Sequence, residues 1–267
     1  MTYWQGKVAI VTGGSGGLGR EIARVLGRHG AQVTIAARRI KELSETAAEL
    51  TAQGCCIDTW VTDVTNDESV AELIRSVIRH HGRIDMVVNN AGRSARRAVL
   101  DATPDEFREL FDLNLLSAVR MTRATASHLI ATRGHLVNIG SLAGKTATRF
   151  MGAYPATKFA LSAYTQQVRL ELESQGLHVL LVCPGPIARD QQRETPPGEL
   201  AGLPPEAARP GAGAKVRAVR PERLAEMILT ACEHRRKELV VPAKARLLFA
   251  LAQLSPKLGD WILRRST

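Results

Sequence analysis

The chain has 267 residues, 45% of them hydrophobic, and a formal net charge of +10. That supplies ample core material for one folded α/β unit of a commonly single-domain size. No run approaches the roughly 18 apolar residues that span a bilayer. No binding motif or aromatic-interleaved basic strip accompanies the positive charge, so a transmembrane protein and a nucleic-acid binder are both set aside.

The N-terminus reaches a strand within seven residues and has no apolar leader, so a cytoplasmic protein is expected. Lys7–Val11 reads as that strand. It runs into Thr12-Gly13-Gly14-Ser15-Gly16-Gly17-Leu18-Gly19 and then an amphipathic stretch, Arg20–Arg28. Strand, glycine turn and helix in this order give a glycine-rich run meaning. The glycines allow a tight turn and close backbone approach to a pyrophosphate. The helix N-terminus offers it unpaired N–H groups and a positive dipole end. Further strands are predicted at Gln32–Ala37, Ile57–Val61, Asp85–Val88, His135–Ile139, Val179–Val182 and Leu239–Val241. Helices fall between them, at Lys41–Gln53, Asp67–His81, Pro104–Thr132 and Gly152–Ser174. Such alternation predicts an α/β fold: a doubly wound parallel sheet of about seven strands with helices on both faces. Ligands then bind outside the carboxyl ends of the strands.

After the sixth strand, Glu194–Gly213 is dense in proline and glycine and reads as a long irregular loop that orders on binding. At the C-terminus, Leu247, Leu248, Leu251, Leu254, Leu258, Trp261 and Ile262 share one helical stripe. Lys244, Arg246, Lys257, Arg264 and Arg265 surround it, and Pro256 divides it into two short helices. A basic amphipathic segment over 243–265 suits an anionic membrane surface. Packing on the body, the active-site mouth or a partner subunit is the commoner use of such a stripe. The cysteines, Cys55, Cys56, Cys183 and Cys232, show no metal-ligand or redox spacing, which points to a reducing compartment and no metal.

Tyr154 and Lys158 lie four residues apart, on one face of a predicted helix, and Ser141 precedes the tyrosine by thirteen residues. A nearby cation favours phenolate over phenol and draws a tyrosine pKa down from about 10. With a serine hydroxyl to hold the substrate oxygen, the three side chains describe an acid/base device for a carbonyl or an alcohol.

Together these residues resemble the short-chain dehydrogenase/reductase family. Thr12, Gly13, Gly17 and Gly19 match its Thr-Gly-x-x-x-Gly-x-Gly pattern. Asp63-Val64, Asn89-Asn90-Ala91-Gly92, Asn114, Ser141, Tyr154, Lys158 and Pro184-Gly185 follow in the family's order, from about Lys7 to about Pro242. The resemblance implies a single Rossmann-fold catalytic domain over 1–242, with a substrate lid at about 189–219 and an extension over 243–267. It implies hydride transfer between a nicotinamide and a carbonyl or carbinol carbon. Tyr154 then exchanges the proton, Ser141 holds the oxygen, Lys158 binds the nicotinamide ribose, and Asn114 positions a water between Lys158 and solvent. Gly13, Ser15, Gly17, Leu18, Gly19, Asp63, Val64, Asn90, Ala91, Gly92, Pro184, Gly185 and Ile187 become cofactor-binding candidates. Asp63 is assigned to the adenine amino group.

Charge bears on which nicotinamide cofactor is used. At the end of the second strand an acidic residue would pair with a ribose 2′-OH, but here Ala37 is followed by Arg38 and Arg39. Arginine matches a 2′-phosphate with a charge-assisted fork, which predicts NADP(H). Two features depart from the family's pattern. Gly16 stands where some NADP-preferring relatives carry a basic residue, and Arg189 stands where the family usually has a threonine facing the carboxamide. Arg93, Arg96 and Arg97 are expected near the mouth, as an anion-attracting or simply solvated loop. The predicted partners are a small-molecule carbonyl or alcohol substrate and further copies of the chain, in a homodimer or homotetramer. A 3-oxoacyl-carrier reductase is the alternative enzyme, and a cofactor-sensing regulator the alternative outside enzymes.

Overall fold

The computed structural model describes residues 2–188, 200, 202–209 and 216–266, the side chain of Ser266 excepted. Seven parallel strands stand in the order β3-β2-β1-β4-β5-β6-β7. They are β1 (Val8–Thr12), β2 (Gln32–Ala37), β3 (Cys56–Val61), β4 (Met86–Asn89), β5 (His135–Ile139), β6 (His178–Pro184) and β7 (Glu238–Val241). β1 is buried along its whole length, and covering on both faces explains its unbroken apolar run. Alternate residues serve opposite layers: Ala9 and Val11 join one core cluster, Val8 and Ile10 the other.

Helices α1 (Gly17–Arg28) and α2 (Ile40–Ala52) pack with α7 (Pro221–Glu233) on the first layer, through Ile22, Leu26, Leu43, Leu50, Leu224 and Ile228. The second layer takes α3 (Asp67–His81), α5 (Ser117–Ala131) and α6 (Tyr154–Leu172), through Leu73, Val77, Met121, Leu129 and Val168. β1 lies between β2 and β4, so chain direction along the sheet reverses there and leaves a crevice at the carboxyl edge.

The predicted Pro104–Thr132 helix runs from Pro104 to Ala131 with one irregular turn. A capping box at Thr103 and Glu106 starts α4 (Pro104–Phe111), a π-helical turn follows over Asp112–Leu116, and α5 resumes at Ser117. The extra residue in that turn rotates buried Asn114 inward.

At the C-terminus, α8 (Ala245–Leu254) and α9 (Pro256–Ser266) form a hairpin. It closes tightly where Gly259 meets Ala252, since a Cβ on Gly259 would lie 2.7 Å from that methyl. Its outer side exposes Leu247, Leu254 and Trp261, the last stacked under the Arg265 guanidinium. Among the described residues no helix is long and apolar enough to cross a membrane.

Candidate functional site

The turn after β1 is built for close approach. A Cβ on Gly19 would fall 2.3 Å from the Gly13 carbonyl oxygen, so only glycine lets α1 start this near the strand. Gly17 opens the helix at φ +53°, a left-handed conformation with open space where a side chain would project. No side chain caps the start of α1, which leaves its first N–H groups to a ligand. Asn90 braces the turn from β4, its Nδ2 donating to the Thr12 carbonyl at 2.9 Å and to that of Gly13 at 3.2 Å. The Thr12 hydroxyl accepts the N–H groups of Asn90 and Ala91 in return. This cradle fits the pyrophosphate of a dinucleotide.

Arg38 and Arg39 leave the end of β2 exposed to solvent at one side of the same crevice. Arg39 is paired with Glu42 at 2.9 Å. Asp63, beyond β3, is held through one carboxylate oxygen by its own loop. Its Oδ1 accepts both the N–H and the hydroxyl of Thr65, at 2.9 and 2.7 Å. That hydroxyl, more than the nearby Arg38 and Arg120, lowers its carboxyl pKa. Thr62 and Val64 line the crevice rather than Asp63.

The chemical end of the crevice is assembled from β5 and α6. Ser141 caps a short 3-10 turn, its Oγ accepting the Ala143 N–H at 3.1 Å. The oxygen is thereby oriented while its O–H stays available to donate. Tyr154 opens α6, and the Lys158 ammonium lies 5.8 Å from its ring centroid. Lys158 is buried and donates to the Ile139 carbonyl at 2.8 Å; burial lowers its pKa to about 8. Asn114 stands behind. Its Oδ1 accepts the Arg93 N–H, and its Nδ2 donates to the Arg93 carbonyl and to the Thr157 hydroxyl. It ties the π-helical turn to α6 and to the loop after β4.

Gly13, Ser15, Gly17, Leu18, Arg38, Arg39, Val64, Asn90, Ala91, Gly92, Ser141, Tyr154, Lys158, Pro184, Gly185 and Ile187 all line one cleft of about 1410 Å³. Gly19, Asp63 and Asn114 do not line it. Arg189 and most of Glu194–Gly213 lie outside the described residues.

Of the three arginines after β4, Arg93 and Arg96 line the cleft. Arg97 instead pairs with Glu106 at 2.6 Å. Arg96 is buried with its Nε donating to the Ala207 carbonyl, so it anchors the segment at 205–208. Sequence reasoning raised the active-site mouth for the C-terminal stripe but did not name the apolar residues that line the cleft. Leu142, Met151, Leu248, Phe249 and Leu263 line it, the last three from the C-terminal hairpin. The helical stripe announced that hairpin, but nothing in the stripe tells which residues turn inward.

With this geometry the comparisons agree. The chain matches the short chain dehydrogenase family over residues 7–199, and it belongs to the short-chain dehydrogenase/reductase family. It is 33% identical to an uncharacterised oxidoreductase of Bacillus subtilis (strain 168), YxnA, over 97% of this chain and 72% of that one. A putative ketoacyl reductase of the monensin polyketide synthase from Streptomyces virginiae is 35% identical, over 69% of this chain and 72% of its own. A metagenomic short-chain oxidoreductase solved with NADP superposes with a TM-score of 0.72 at 30% identity, over 88% of this chain and 96% of that one. A member from Burkholderia phymatum solved with NAD shares the fold at TM-score 0.85 and 23% identity, covering 97% and 96%. The protein is therefore an oxidoreductase of a family that binds a nicotinamide cofactor.

Proposed function

We propose that the chain is an NADP(H)-dependent carbonyl reductase or secondary alcohol dehydrogenase acting on ketones or alcohols, lipid-like ones included. One observation carries the reading: Ser141, Tyr154 and Lys158 open onto the same cleft as the glycine turn. The nicotinamide cofactor supplies or accepts the hydride. In the reducing direction Ser141 donates its O–H to the substrate oxygen, and Tyr154 delivers the proton that completes the alcohol. Lys158 donates to the ribose, holds its charge beside the phenol and passes on the replacing proton. Asn114 keeps the route from Lys158 to solvent in register through Thr157 and the Arg93 backbone. Arg38 and Arg39 support a 2′-phosphate, and Leu248, Phe249 and Leu263 support an apolar substrate body. Self-association into a homodimer or homotetramer is part of this reading, with Leu116 in the π-helical turn and Phe159 and Leu170 on α6 as exposed apolar residues that it would cover.

The second reading, a 3-oxoacyl-carrier reductase, draws on the likeness to the Streptomyces virginiae ketoacyl reductase and on Arg93 and Arg96 in the cleft. The intact Ser141, Tyr154 and Lys158 count against a cofactor-sensing regulator. NADPH oxidation screened over simple ketones, steroids, retinoids and 3-oxoacyl thioesters separates the enzymatic readings. Tyr154→Phe is expected to abolish turnover of whichever substrate responds, with NADPH binding intact by fluorescence titration. Unchanged turnover would refute the assignment of the acid.

A further inference from the structure

At the end of the sheet opposite the cleft, His135 and His178 begin β5 and β6, and Cys232 comes up from the end of α7. All three side chains are buried, and one donor atom of each lies within 4.8 Å of the other two. The two imidazoles face each other through Nδ1, 2.8 Å apart. Their outer nitrogens are both held: the His178 Nε2 faces the Arg236 carbonyl and the His135 Nε2 faces the Tyr3 hydroxyl, each at 2.8 Å.

The proton positions follow. A carbonyl only accepts, so His178 carries its hydrogen on Nε2 and turns a lone pair on Nδ1 into the cluster. His135 then donates from Nδ1 and accepts the Tyr3 O–H at Nε2. Burial keeps both rings neutral, and with it the ligand form is retained.

We propose that His135, His178 and Cys232 form a buried binding site for one thiophilic d10 metal ion, zinc(II) or copper(I). Two imidazoles and a thiol, with no carboxylate among them, are the donors such ions select, and they exclude calcium and magnesium. A ring fixed through its far nitrogen by a carbonyl or hydroxyl is the outer support that metal-ligating histidines carry. Loading needs little rearrangement. The His178 lone pair already points inward. The His135 proton moves from Nδ1 to Nε2, where the Tyr3 oxygen accepts instead of donating, and the Cys232 proton leaves to solvent.

Donors sharing an ion at about 2.0–2.3 Å stand roughly 3.3–3.7 Å apart, so the nitrogens separate by about half an ångström, and the sulfur already lies within 4.8 Å of both. Entry is past the N-terminal segment, where Tyr3 is 44% exposed and Trp4 is pinned to Glu233 at 2.7 Å. Charge separates the two ions. With the thiolate, copper(I) leaves the site neutral, whereas zinc(II) leaves one positive charge, within the fields of Glu233 and Arg235. The spacing of cysteines along the chain could not show this, because the donors meet only through the pairing of β5 with β6 and the packing of α7.

The test uses the full chain, stripped by chelator under reductant, with exposed Cys56 changed to alanine. One arm titrates zinc(II) against a chromophoric chelator; the other titrates copper(I) against bicinchoninate without oxygen. One equivalent of at least one ion should be withdrawn, and the more tightly held ion identifies the occupant. Cys232→Ala should weaken that binding at least 100-fold, and Cys183→Ala should leave it unchanged. X-ray absorption of the loaded Cys56→Ala chain should show two nitrogens and one sulfur, and it decides the matter if Cys232→Ala does not fold. No stoichiometric uptake, equal uptake by Cys232→Ala, or a shell without sulfur overturns the site. Reductase activity is not the readout, so the outcome is independent of the catalytic assignment.

Discussion

Arg38 and Arg39 follow Ala37 in the chain, yet they are not equivalent in space. Arg39 is engaged with Glu42 across one helical turn, a pairing of two exposed groups worth little by itself. Arg38 faces the crevice near Asp63 and is the better placed of the two for a 2′-phosphate. A charge-assisted contact to phosphate contributes about 1.5–3 kcal/mol. Arg38→Ala is thus expected to weaken NADPH roughly 10- to 100-fold and to leave NADH within about threefold. Parallel titrations of the two cofactors by fluorescence check this, and equal losses would remove the phosphate contact from the account. Residues like these were legible because backbone position at a strand end fixes where they emerge. Asp63 was less so: its neighbour Thr65 supplies the hydroxyl that turns the carboxylate back on its own loop, a local competition that spacing does not reveal.

The central strands were readable at the level of elements because burial on both faces makes them short, mostly apolar runs, and β2 and β5 fall where the pattern puts them. The π-helical turn was not readable. Periodicity over Pro104–Ala131 stays helical, and the extra residue is selected by what Asn114 binds across the fold, namely Arg93 and Thr157. The C-terminal hairpin lies between these cases. Its apolar stripe is evident in sequence, but its leucines divide between a cleft-lining side and an exposed side. Leu248 lines the cleft and Leu247, its neighbour, is 67% exposed. The division gives a test of substrate class. Leu248→Ser should raise KM for a bulky apolar ketone about five- to tenfold, matching roughly 1–1.5 kcal/mol of lost burial, and leave a small ketone unchanged. A uniform rise for both substrates would place Leu248 in a purely structural role.

For the whole molecule, the buried lysine beside Tyr154 is a load on the fold. Lys158 is buried between α6 and β5, and among the described residues no carboxylate pairs with its ammonium; burial brings its pKa from 10.5 to about 8. The sign follows from linkage. Between pH 8 and 10.5 the unfolded chain keeps the lysine proton and the folded chain has released it, so stability rises with pH across that window. The full contribution is present above 10.5 and is lost as pH falls through about 8. It amounts to about 3 kcal/mol. At pH 7 the charged form is carried at that cost even with the bond to the Ile139 carbonyl in place. Lys158→Met should therefore be inactive yet more stable than the parent at pH 7, by about 1–3 kcal/mol and several degrees in Tm. The advantage should shrink between pH 8 and 10.5, because the parent gains stability there and the variant has no such group to titrate. Groups remote from Lys158 titrate alike in both chains and cancel in the difference. Urea melts of the two proteins at pH 7, 8, 9 and 10.5 measure it, and a difference that stays flat with pH would mean that Lys158 is not strained by its burial.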